Sequence, residues 1–359
     1  MDRAAENGKN SARQSQVDDP SILVIRFSSI GDILLTTPVL RALRQKWPKG
    51  RISFLTKERF APLLQGNPHV DELLTLKEGA GVLELYRLGR SLARRRWHIL
   101  ADLHSSTRSS LIRRIMLADF TATCTKSLLK RSLLIYTRLD LYGPEPPSVP
   151  ERYAACMAPY GVCLDQGPCE LYLDHNDRSL AEKQIVARWP DSPNFLALAP
   201  GAAWPTKRWP AERFARAAAE LASRHELKVI LLGSGKDLDV CEQVGKYLGQ
   251  KTCLNLAGRL PLRGSAAAVE KSKILLTNDT GLMHIATAVG TPVVAIFGCT
   301  TRHLGYFPYR AGKAKVIETN LYCRPCTHNG RKRCPLGHFR CMRDILIEKV
   351  VKAVEILLK

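Results

Sequence analysis

The strongest constraint on this chain is an alternation that runs through it twice, in which short runs of aliphatic and β-branched residues are separated by longer segments with apolar residues at helical spacing. Ile22 to Phe27 is the first run. The turn Ser28-Ser29-Ile30-Gly31 follows it, then a segment with Ile33, Leu34, Leu40 and Leu43 at helical intervals. Arg51 to Thr56 and His98 to Asp102 repeat the strand pattern, while Glu58 to Gln65, Val82 to Arg96 and Thr107 to Leu117 read as helices. After stretches rich in Pro, Gly and Asp (Tyr142 to Pro150, Asp174 to Pro193), the pattern restarts. Its strands are Phe195 to Ala199, Lys228 to Leu232, Ile274 to Thr277 and Val293 to Phe297. Between them, Pro210 to Arg224 opens with proline in the first turn, where its missing N–H costs nothing, and Gly281 to Val289 is short and apolar. Alternation of this kind predicts an α/β fold of parallel sheets covered on both faces. The expected architecture is two doubly wound, Rossmann-like domains with a cleft between them, over residues 21–175 and 176–341. Residues 342–359 form a closing amphipathic helix, and residues 1–20, without apolar periodicity, form a disordered tail.

A length of 359 residues exceeds what a single hydrophobic core usually supports, and 45% apolar residues is enough for two. No apolar stretch approaches a membrane span, and Met1 to Pro20 lacks the apolar middle of a signal peptide. The expected location is the cytoplasm, where eleven cysteines would be reduced thiols. Lys and Arg number 54 against 33 acids, a formal charge of +21 that calls for an anionic partner: nucleic acid, acidic membrane or phosphorylated substrate. Arg87, Arg90 and Arg94 to Arg96 on one helical segment, then Lys126, Lys130, Arg131 and Arg138, are also compatible with solvated helix faces.

In sheets of this class ligands bind beyond the carboxyl ends of the strands, so chemistry is sought in the loops there. The first loop, Ser28-Ser29-Ile30-Gly31-Asp32, sets small residues and one carboxylate at a helix start; Asp32 is either a functional acid or a helix cap. The second, Pro200 to Trp209, places Lys207 and Arg208 among Trp and Pro, either to hold a phosphate or as surface cations beside a packed tryptophan. The third, Asn278-Asp279-Thr280-Gly281, opens a helix whose free amides suit an anion, unless Asp279 merely caps it. The fourth, Gly233-Ser234-Gly235-Lys236-Asp237, fails as a Walker loop, because Ile230 and Asp237 stand where glycine and Ser or Thr are needed. Asp237-Leu238-Asp239 matches a metal–diphosphate D-x-D, but a carboxylate reaching ribose hydroxyls at a strand end fits Asp237 better. Near the C-terminus, Cys323, Cys326, Cys334 and Cys341, with His328 and His338 between them, are either structural zinc ligands or reduced cysteines packed beneath the last helix.

Taken together, these loops resemble those of the lipopolysaccharide heptosyltransferases, the ADP-heptose-dependent glycosyltransferases of family nine with GT-B architecture. The likeness rests on Ile25 to Leu34 with Thr37-Pro38, Trp204 to Pro210, Asn278 to His284, and the segment Cys334-Pro335-Leu336-Gly337-His338 with Cys341-Met342. It implies Asp32 as the base, with Ser28, Ser29 and Gly31 forming its loop. Lys207, Asp237, Asp279, Thr280, Gly281 and His284 bind the donor, although the family more often has glutamate where Asp237 stands. Arg108, in Asp102 to Ser109, falls on the acceptor side, where the family has lysine. The implied reaction inverts the anomeric carbon without a cofactor or catalytic metal. Its partners are a nucleotide-sugar donor, the lipopolysaccharide inner core and, peripherally, the anionic inner membrane. The rival classes are a glycosyltransferase using another nucleotide sugar and a basic nucleic-acid-binding protein. The latter lacks a helix-turn-helix, an aromatic RNA-binding motif and a complete zinc finger.

Overall fold

The computed structural model describes residues 18–125, 127–192 and 194–359, so most of the expected N-terminal tail lies outside the described residues. Two compact units emerge. One comprises residues up to 126 with Val149–Gly167, and the other Ser127–Ser148 with Pro168–Lys359. Both are parallel-sheet α/β domains.

In the first unit, β1 (Ser21–Ile25), β2 (Arg51–Lys57), β3 (Glu72–Leu76), β4 (Trp97–Asp102) and β5 (Ala118–Thr123) lie in the order β3-β2-β1-β4-β5. β1 is central, and Ile22, Leu23, Val24 and Ile25 are fully buried because helices cover both faces of a parallel sheet. Each such side chain contributes roughly 2 kcal/mol. The register sets Ile25 beside both Leu55 and Asp102, so the loops leaving β1 and β4 start side by side.

The second unit has β6 (Phe195–Ala199), β7 (Lys228–Leu231), β8 (Cys253–Asn255), β9 (Ile274–Asn278), β10 (Val293–Phe297) and β11 (Ala314–Glu318), ordered β11-β10-β9-β6-β7-β8. β6 lies between β7 and β9, with Leu198 beside Leu231 and Ala199 beside Thr277, which brings three of the four loops of interest to one end of the sheet. Trp209, Phe214 and Leu221 pack with Cys341, Met342, Val350 and Val354 in its core. Residues 127–148 join this unit through Arg138 Nη1, which donates to the Pro325 carbonyl at 2.8 Å, and through Asp140, 3.1 Å from His303.

The central strands and the helices Ala211–His225 and Gly281–Val289 fall where the sequence predicts them. The closing helix differs. The expected single helix 342–359 is two pieces, Arg340–Arg343 and Ile347–Leu358, with Leu346 extended between them. Met342 and Ile345, buried to 0% and 1%, are held in the core on one side of the break, and the longer piece lays Val350, Val351 and Val354 on the same core. Among the described residues no helix is long and apolar enough to cross a membrane.

Candidate active site

At the end of β1, Ser29 is the N-cap residue of a one-turn helix, Ile30–Leu34, and Asp32 is its third residue rather than its cap. The Asp32 carboxylate turns back on the loop. Its Oδ2 accepts the Ser29 N–H at 3.0 Å and the Ser29 hydroxyl at 2.7 Å, and its Oδ1 lies 2.5 Å from Arg26 Nη2. Small residues serve this geometry: Gly31 is buried, Ser28 is half-buried, and Ser29 alone of the three is exposed. Asp32 itself is 9% exposed.

The neighbouring loop, after β4, is organised by a fully buried acid, Asp102. Its Oδ1 accepts the N–H groups of His104 and Ser105 at 3.1 and 2.9 Å, a local turn that only a short acceptor side chain makes. Arg113 Nη1 stands 3.7 Å from the other oxygen. His104 lies against Phe27, ring centroids 5.1 Å apart, which ties this loop to the one holding Asp32. Ser106 then caps the helix Thr107–Ile115, accepting the Ser109 N–H, and Arg108 is exposed in its first turn.

In the second unit the brace is Asn278, fully buried at the end of β9. Its Oδ1 accepts the Trp209 N–H at 3.0 Å, and its Nδ2 donates to the Pro200 and Gly201 carbonyls at 2.8 and 3.3 Å. One amide thus clamps both ends of the loop that bears Lys207. The Lys207 ammonium lies 2.6 Å from Asp279 Oδ2, which also accepts the Thr300 hydroxyl at 2.8 Å. Next in sequence, Thr280 precedes the helix Gly281–Val289 and makes no side-chain cap bond; its hydroxyl is 3.2 Å from that of Thr277. The first amides of a helix have no partner within it, so this start is suited to an anion. His284 is buried, 3% exposed, as are its neighbours Met283 and Ile285.

Asp237 closes the turn Gly235–Asp237 after β7, and its Oδ2 accepts the Ser234 N–H and hydroxyl at 3.0 and 2.7 Å. Two backbones make room for it. A Cβ on Gly233 would sit 2.8 Å from the Asp237 Cβ, and one on Gly201 would overlap the carboxylate itself. The half-buried Asp237 therefore lies where the loops after β6 and β7 meet.

The cysteine segment stands against the lysine loop, closer to the site than a place beneath the last helix implies. The Thr206 hydroxyl donates to the Arg331 carbonyl at 3.0 Å and accepts the Arg331 N–H at 2.8 Å, and the Cys299 thiol approaches the same hydroxyl at 3.4 Å. Trp204 packs on the bare backbone of Gly330, whose φ of 112° belongs to glycine. Cys326 donates its N–H to the Cys299 carbonyl, and the thiols of the two residues meet in a hydrogen bond. Hydrogen bonding from Cys299, then Arg331 and Arg138, draws the Cys326 thiol below its ordinary range, while the same bond and burial push Cys299 up. Cys323 Sγ is 3.9 Å from His338 Nε2, and Cys341 belongs to the core. Among the described residues no group of three or more His, Cys, Asp or Glu side chains is placed to hold a metal ion.

Residues 85–337 match the model of glycosyltransferase family 9 (heptosyltransferase). The chain belongs to that family. It is 30% identical over 313 residues to lipopolysaccharide heptosyltransferase 2 of Salmonella typhimurium, covering 83% of this chain and 87% of the relative. A solved family 9 glycosyltransferase from Veillonella parvula superposes with a TM-score of 0.81 at 28% identity, covering 96% of this chain and 98% of its own. The E. coli ADP-heptose lipopolysaccharide heptosyltransferase II does so with a TM-score of 0.73 at 25% identity, over 94% and 98%. Two parallel-sheet domains in the manner of these neighbours give the family 9 chain its GT-B fold, and it is a glycosyltransferase.

Four side chains that brace these loops, one in the first unit and three in the second, carry no signal that singles them out in the sequence: Arg26, Asn278, Thr206 and Thr300. Arg26 and Asn278 lie inside recognisable motifs, yet their parts depend on partners that folding supplies, Leu103 for one and Pro200 for the other. Thr206 and Thr300 act through Arg331 and Asp279, far away in sequence.

Proposed function

We propose that this family 9 enzyme transfers a heptosyl group from ADP-heptose to a hydroxyl of the lipopolysaccharide inner core, inverting the anomeric carbon and using no catalytic metal. The observation that carries the reading is in the second unit, where the Lys207 ammonium, 14% exposed on its side chain, lies beside the uncapped helix start at Thr280 and Gly281. A departing diphosphate gains charge in the transition state, and a preorganised cation with helix amides stabilises it without a metal. Asp279 holds Lys207, Asp237 meets the ribose in its glycine-lined corner, and the buried His284 supports the first turn of that helix.

Asp32 is the base. As the acceptor oxygen bonds to the anomeric carbon, the carbon–oxygen bond to the diphosphate breaks, its electron pair leaves with ADP, and the hydroxyl proton passes to the Asp32 carboxylate. One displacement inverts the centre. Arg108, exposed at the loop beside that of Asp32, suits the carboxylates and phosphates of an inner-core acceptor. The donor and acceptor follow the names of the Salmonella and E. coli relatives. The surplus of +21 fits peripheral contact with the anionic cytoplasmic face of a membrane, where such an acceptor is presented.

The test is a product assay with ADP-heptose and deep-core-truncated lipopolysaccharide, read by mass spectrometry, with and without EDTA. Addition of one heptosyl unit, unaffected by chelation, is expected. Transfer from a different nucleotide sugar alone would reassign the donor, and loss of transfer in EDTA would restore a metal to the mechanism.

A further inference from the structure

We infer that Arg26 is a positioning residue for Asp32, setting where the carboxylate stands as well as neutralising it; this rests on the assignment of Asp32 as the base. Arg26 is the first residue beyond β1, and its side chain is 11% exposed. Its three guanidinium nitrogens each have a different acceptor. Nε donates to the Ser28 carbonyl at 2.9 Å, Nη1 to the Leu103 carbonyl at 2.7 Å, and Nη2 meets Asp32 Oδ1 at 2.5 Å. The Tyr153 ring lies alongside, its centroid 5.5 Å from the guanidinium carbon.

A guanidinium is a rigid planar fork whose donor directions are fixed relative to one another. Once two directions are bonded to backbone carbonyls, the third is no longer adjustable, and the carboxylate that meets it is held in turn. The two carbonyls belong to the loops after β1 and β4, which lead into the helices that carry Asp32 and Arg108. One side chain thereby sets the spacing of the base from the loop assigned to the acceptor. Ser29 completes the clamp by addressing the other carboxylate oxygen twice. Each nitrogen of Arg26 is engaged within the fold, which fixes the plane of the guanidinium. A base must sit within hydrogen-bond reach of the proton it takes, and a displacement of about 1 Å costs on the order of 10²-fold in rate.

The experiment makes Arg26→Lys and Arg26→Gln, each alone and combined with Asp32→Asn, in the full chain, with turnover expressed per folded molecule. Arg26→Gln is expected to lower kcat about 10²-fold while the KM for ADP-heptose and the ADP-induced rise in Tm stay unchanged. Arg26→Lys keeps the charge and the fold but has one nitrogen in place of three, and is expected to fall within a few-fold of Arg26→Gln. In the Asp32→Asn background, Arg26→Gln should change kcat by no more than about twofold, because a residue acting through Asp32 has nothing left to position. Additive losses in that cycle, wild-type turnover in Arg26→Lys, or a raised acceptor KM at unchanged kcat would each overturn the inference. Wild-type turnover in Asp32→Asn alone would instead remove the base assignment beneath it.

Discussion

The two units each bury a short ion pair at the carboxyl end of a strand, and the pairs are built opposite ways round. In the first, Arg26 is anchored on two backbone carbonyls and presents its remaining edge to Asp32 at 2.5 Å. In the second the acid is the anchored member: Asp279 takes the Thr300 hydroxyl at 2.8 Å and meets Lys207 at 2.6 Å. The residue types match these parts. A rigid five-donor fork suits a fixed scaffold, and a single ammonium on a flexible stem, with three donors to distribute, suits a cation that follows a leaving group. The difference teaches that an acid at a helix start is not one role. Asp32 is the member that is held, which suits the proton acceptor of the proposed mechanism, whereas Asp279 does the holding.

The sharpest way to break this comparison is Asp32→Asn, which keeps the size of the side chain but cannot take the proton. Turnover is expected to fall on the order of 10²- to 10⁴-fold with Tm nearly unchanged, measured by product formation and thermal melting. A rate within a few-fold of wild type would reduce Asp32 to a helix-start residue. Lys207→Ala comes next, with kcat/KM for the donor expected about 10²-fold lower. Because it leaves Asp279 with its cation gone, stability should also fall, by on the order of 3 kcal/mol in a urea titration. Unchanged donor kinetics would take Lys207 out of the site.

Smaller effects test how the second pair is framed. Gly201→Ala drives a methyl group into the Asp237 carboxylate, and ADP binding is expected to weaken roughly tenfold, a loss comparable to one buried hydrogen bond. Thr206→Val removes the hydroxyl that joins the lysine loop to Arg331. The expected cost is about 1 kcal/mol of stability, with a rise of only a few-fold in donor KM. If donor KM rose as much as in Lys207→Ala, the cysteine segment would be part of donor binding instead of its support.

What was legible in the sequence follows from burial. β1, β6, β9 and β10 are buried almost throughout and read as continuous apolar runs. The strands passed over, Glu72–Leu76, Ala118–Thr123, Cys253–Asn255 and Ala314–Glu318, are those that end the two sheets. Each is largely half-buried and mixes Glu, Asp, Lys, Thr or Asn with its apolar residues, so neither a buried run nor a clean alternation stands out. In the site, the loops after the central strands were visible as clusters of small and charged residues at strand ends. The pairings were not, because Lys207 and Asp279 lie on loops after different strands and Arg26 is directed by the carbonyl of Leu103. Sequence pattern locates a charged residue on an element; only the strand order decides which charge it meets.

The division of labour between the two pairs is tested most directly by the dissociation constant of ADP, measured by calorimetry on Asp32→Asn and Lys207→Ala side by side with the unsubstituted chain. ADP carries the diphosphate but no acceptor hydroxyl, so it reports on the donor pair alone. The expected result is an affinity within about twofold of wild type for Asp32→Asn and at least tenfold weaker, about 1.4 kcal/mol, for Lys207→Ala. Equal weakening in both variants, or weakening confined to Asp32→Asn, would contradict the account.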